Sequence, residues 1–76
     1  MKPAKLSYKE KLELDQMEQT ILDAEAEVAR LEALVADPAV AADHLRLQRH
    51  CHELETAQAE VARLYERWAA LSERPR

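Results

Sequence analysis

The chain contains no glycine and no phenylalanine, only three prolines and a single cysteine, and nothing in its 76 residues resembles a long apolar run. Each scarcity excludes something. A loop that cradles phosphate needs glycine where backbone approaches the ligand, so no nucleotide site of that kind fits. Lone Cys51 cannot close an internal disulfide, which agrees with a reducing compartment. A transmembrane helix needs about 18 or more consecutive apolar residues, and a secretory leader needs a charged segment followed by an apolar one. Neither is present, so a cytoplasmic protein is expected. Met1 runs straight into Lys2, Pro3 and Ala4, a beginning that reads as a domain cut from a longer chain.

What remains is rich in Ala, Leu, Glu and Arg, which lose little freedom in a helix. Apolar residues fall at Leu14, Met17, Ile21, Ala24, Val28, Leu31 and Val35 in alternating steps of three and four. That stripe is a heptad seam, stable only against a partner helix. Leu47, His50, Leu54, Ala57, Val61, Leu64, Trp68 and Leu71 repeat the alternation, so the expected fold is all-α, a two-helix antiparallel coiled-coil hairpin. Ser7 with Glu10 forms a capping box that starts helix one near Tyr8, and Pro38 ends it near Ala36. Asp37 and Pro38 can open a helical turn of their own. Asp43 is the expected cap of helix two, which runs to about Ser72. Residues 1–6 read as a linker, 7–72 as the hairpin and 73–76 as a disordered tail. Two registers satisfy the pattern. The shorter pairs Leu14 with Leu64 and sets Glu13 beside Arg67 and Tyr8 near Trp68. The longer pairs Met17 with Trp68, overhangs the turn and opposes Glu27 to Glu60. The shorter is the preferred expectation.

The net charge of −4 is unevenly spread. Lys2, Lys5, Lys9 and Lys11 outnumber Glu10 at the start, and Arg63, Arg67, Arg74 and Arg76 outnumber Glu66 and Glu73 at the finish. Between them twelve acidic residues face Arg30, Arg46 and Arg49. A hairpin brings the ends together, giving a basic base and an acidic stem. Lysines and arginines gathered there can neutralise phosphates, although no base-reading motif accompanies them.

Other candidates carry less. His50, Cys51 and His52 are consecutive, so on a helix they point about 100° apart, unlike the i,i+4 pairs of helical metal sites. His44 does not repair the spacing. Cys51 has no base held beside it for nucleophilic work. Carboxylates such as Glu25 and Glu32 read as solubilising charges, and Tyr65 with Trp68 as a hydrophobic plug rather than a stacking platform. Leu22, Ala26, Ala29 and Ala33 make a faint outer strip compatible with a weak homodimer or an ordinary solvent face.

The segments Leu6-Ser7-Tyr8-Lys9-Glu10-Lys11-Leu12-Glu13-Leu14, Leu34-Val35-Ala36-Asp37-Pro38 and Leu64-Tyr65-Glu66-Arg67-Trp68 resemble the C-terminal domain of Uup-type ABC-F ATPases across nearly the whole chain. Val40 and Ala41 stand where that pattern usually has an aromatic residue. The resemblance implies a bacterial ATPase with two ATP-binding cassettes and no transmembrane part. ATP and magnesium would be bound upstream, leaving no cofactor or catalytic residue in this segment. It also implies DNA or ribosomal RNA as partner, with Lys9, Lys11 and Arg67 lying inside the matching motifs. Lys2, Lys5, Arg63 and Arg74 join them by proximity in the hairpin. Two other readings stay open: a structural or dimerising hairpin packed on its own cassettes, and a tRNA-contacting arm of an aminoacyl-tRNA synthetase.

Overall fold

In a computed structural model, which describes residues 5–74, the chain folds into two long helices joined by a short one. Helix α1 spans Tyr8–Ala36, α2 Pro38–Ala41 and α3 His44–Ser72. The long helices pack against each other, and the molecule measures 54 × 22 × 14 Å. One helix is 10–12 Å across with its side chains, so the two shorter dimensions are those of a pair lying side by side. The expected hairpin is present.

Its boundaries are set by local chemistry. The Ser7 hydroxyl accepts from the Glu10 amide at 3.2 Å while the Glu10 carboxylate accepts from the Ser7 amide at 3.0 Å, which satisfies two amides that the first turn leaves without helical partners. At the turn Asp37 is extended, and its carboxylate accepts from the Ala39 amide at 2.8 Å, with Pro38 at the first helical position. Asp43 repeats the device for α3, accepting from the Arg46 amide at 3.2 Å. The chain reverses without any residue at positive φ among those described. A glycine-free sequence can therefore make this turn.

The seam is buried as its spacing requires, with Leu14, Met17, Ile21 and Leu31 enclosed on α1 and Leu64 and Leu71 on α3. Leu6 joins them, so packing begins one residue before the capping box. At the tip, Val40 of α2 is 1% exposed.

The register departs from the shorter alternative. With Leu14 opposite Leu64, Glu25 would face residue 53, twelve residues from Tyr65 and about 18 Å along the axis at the helical rise. The Tyr65 hydroxyl nevertheless donates to Glu25 Oε2 at 3.2 Å, which two side chains could not span across that offset. The helices sit nearer the longer register. Two features remove the objections to it. Helix α2 covers the overhang, and Glu27 and Glu60 are each neutralised within their own helix, by Arg30 and Arg63 in forked contacts of 2.5–2.9 Å. The Glu13–Arg67 contact survives the shift because arginine is long, whereas Tyr8 is 80% exposed.

Candidate nucleic-acid interface

The hairpin gathers the two ends of the described chain, and ion pairs hold them. Arg67 grips Glu13 in a fork, Nε to Oε2 at 2.8 Å and Nη2 to Oε1 at 2.9 Å. Arg74 donates from Nη1 and Nη2 to the Glu10 carboxylate and from Nη2 to the Lys5 carbonyl. Glu10 is shared, since Arg67 Nη2 stands 3.9 Å from its Oε2. Of the tail expected after Ser72, Arg74 is thus anchored on α1. Planar guanidinium groups suit such paired contacts with carboxylates.

These contacts divide the residues that the sequence nominates. Arg67 and Arg74 form the clasp between the helices, and Arg63 is occupied by Glu60. Lys5, Lys9 and Lys11 are exposed, and no ion pair engages them among the described residues. Lys2 lies outside the described residues. The lysines without an ion-pair partner at this end are thus those of the start of α1 and the segment leading into it. Sequence spacing found Glu13 beside Arg67 but not Glu10 with Arg74, because Arg74 lies beyond the helical pattern.

The clasp has an acid-base signature. The Ser7 amide and then Arg74 hold the Glu10 carboxyl below its ordinary value of 4.5. Arg67 does the same to Glu13, whose hydrogen bond in turn raises the guanidinium. A lowered folded value means that the folded state binds a proton less readily than the unfolded one, so protonation favours unfolding. The stabilisation is complete above the ordinary glutamate value and is lost as pH falls through the folded value. Thermal unfolding followed from about pH 7 to about pH 3 should show the midpoint falling at the acidic end. The slope should be shallower in a Glu10→Gln/Glu13→Gln variant, which keeps the same-sign contributions of Glu27 and Glu60. An unchanged slope would mean that the clasp does not contribute.

Among the described residues no group of three or more His, Cys, Asp or Glu side chains is placed to hold a metal ion. His50 Nδ1 lies 3.2 Å from Glu53 Oε1, outside hydrogen-bonding geometry. Cys51 is exposed. Among the described residues no helix is long and apolar enough to cross a membrane. The plug expected of Tyr65 and Trp68 is only partial, since they remain 45% and 43% exposed. Trp68 occupies a seam position, yet it stays half open to solvent and lines a hollow with Ile21 and Leu22.

A model of the ABC transporter C-terminal domain family matches residues 5–73. No curated protein and no solved structure matches the chain significantly.

Proposed function

This chain belongs to the ABC transporter C-terminal domain family, and from that premise we propose that it is the non-catalytic accessory hairpin of a cytoplasmic ABC-F ATPase, contacting nucleic acid through its basal end. ATP and magnesium belong to the cassettes of the parent protein, and this segment positions rather than reacts. The observation that carries the reading is the set of exposed, unpaired lysines, Lys5, Lys9 and Lys11, at the end where the two ends of the described chain meet. The acidic stem above them is repelled by phosphate, which favours an end-on approach.

The contact is electrostatic and indifferent to sequence. Three lysine–phosphate contacts give a log affinity that falls against log salt with a slope of roughly −2 to −3. Titrating the chain into labelled duplex DNA, and separately into a ribosomal RNA fragment, at several salt concentrations measures that slope. A Lys5→Glu/Lys9→Glu/Lys11→Glu variant should lose binding to both while keeping its helical circular dichroism. Arg67 is unsuited to this test, because its reversal would also break the clasp. A salt-insensitive affinity, or one unaffected by the lysine reversal, would overturn the proposal.

One observation favours a second reading. Arg63, Arg67 and Arg74 all serve internal ion pairs, as in a strut whose charges hold its own shape. In that reading the hairpin packs against the ATP-binding cassettes and contacts no nucleic acid. Absence of DNA and RNA binding at low salt, together with association of the isolated cassettes and the chain in sedimentation, would select it.

A further inference from the structure

The two flanks of the hairpin are built differently. One carries the clasp and, nearer the tip, a hollow of about 490 Å3 whose Glu27 and Glu60 are already paired with Arg30 and Arg63. The other is an open groove: about 370 Å3 bounded by Glu18, Ile21, Leu22, Glu25, Tyr65 and Trp68 leads, across Glu25, into a further 260 Å3 floored by Val28 and Val61. On the α1 side Glu18, Glu25 and Glu32 stand seven residues apart, about 10.5 Å per interval at the helical rise. Among the described residues no lysine or arginine pairs with any of the three. The α3 residues that line it, Gln58, Val61, Tyr65 and Trp68, carry no charge. An apolar floor with a single-sign edge at heptad spacing is what a third coiled-coil strand would meet.

We infer that this groove is a docking surface for an amphipathic basic helix, whose apolar stripe lies on Trp68, Tyr65 and Val61 while lysine or arginine at heptad spacing reaches Glu18, Glu25 and Glu32. Charge complementarity selects this occupant. A second copy laid symmetrically on the same face would bring a second glutamate row and no cation to answer the first, which disfavours homodimerisation there. Nucleic acid would meet the same three carboxylates. An arginine seated over Trp68 also gains a cation–π contact. Lys11 continues the row one heptad toward the base, so the partner's charge must change sign at that end, which fixes its alignment.

Trp68 is the only tryptophan of the chain, so it reports on its own groove. The probe is a tryptophan-free synthetic helix of about three heptads, with leucine on its seam and lysine at every seventh position. Titrating it into the chain should give a saturable shift of Trp68 emission. A Glu18→Lys/Glu32→Lys variant, which leaves the Glu25–Tyr65 hydrogen bond in place, should bind the peptide about tenfold more weakly, as two weak attractions become repulsions. It should regain affinity for the glutamate version of the same peptide, an exchange that a merely unfolded variant could not produce. Equal affinity for a peptide of scrambled lysine spacing would overturn the inference. So would an emission shift produced by duplex DNA instead of peptide, or one produced by raising the concentration of the chain alone. Lys5 and Lys9 lie outside the heptad row that Lys11 shares with the glutamates, so a Lys5→Glu/Lys9→Glu variant should leave peptide affinity within about twofold, which keeps this result distinct from the nucleic-acid test.

Discussion

Replacing Leu71 by alanine should leave a large fraction of the chain unfolded at room temperature. Leu71 is fully enclosed, at 0% exposure, and belongs to one cluster with Leu6, Leu14, Met17, Ile21 and Leu64. Truncating a buried leucine costs about 2–5 kcal/mol, the spread reflecting how far the surroundings collapse into the space left behind. A single core in a domain of this size rarely supplies more than about 3–5 kcal/mol in total. The loss is therefore comparable with everything that holds the fold together. Leu45→Ala is the matched control, because Leu45 is 76% exposed and surface changes of this kind usually move stability by less than about 0.5 kcal/mol. Urea titrations followed by circular dichroism measure both. If the two variants unfold together, the basal cluster is not what joins the ends.

The second large effect is expected at the opposite end. Val40, 1% exposed, is the buried residue of α2, the short helix that contacts both α1 and α3. Val40→Asp would put a carboxylate into an enclosed position, and the effective penalty of burying an ion is several kcal/mol. The chain can escape by opening the tip, so the observed loss is limited by the free energy of that local opening. Amide hydrogen exchange should accelerate from about residue 36 to residue 47 while the amides around Leu14 and Leu64 keep their protection. Uniform acceleration along both long helices would mean instead that tip and stem unfold as one unit.

The sequence displays most of the architecture because its signals are local. Ser7 with Glu10, Asp37 with Pro38, and Asp43 each act within one helical turn, and each performs the expected hydrogen bond. The seam is also local, since every seam position on α1 is buried or half-buried. Register is not local. Choosing between alignments one heptad apart depends on how α2 fills the overhang and on whether Glu27 and Glu60 repel one another, and Arg30 and Arg63 decide the second question from three residues away. The basal site was legible as a count of charges but not as a division of labour. Whether an arginine is free for phosphate depends on which carboxylate the opposite helix brings to it, as Glu10 meets Arg74 across 64 residues of sequence. The groove was hidden for a similar reason: Trp68 sits on the seam by spacing, and only the packed helices leave it half open beside Ile21 and Leu22.

The reversal of the chain uses two extended residues, Asp37 and Asp43, around a single helical turn, with no residue of left-handed backbone among those described. Glycine would have given that bend the freedom of a hinge. Built without it, the bend resists flexing, and the stalk turns as one piece about whatever holds its foot. A slight tilt imposed at the foot is then magnified into a long sweep at the far end of a 54 Å body, which is the geometry of a pointer.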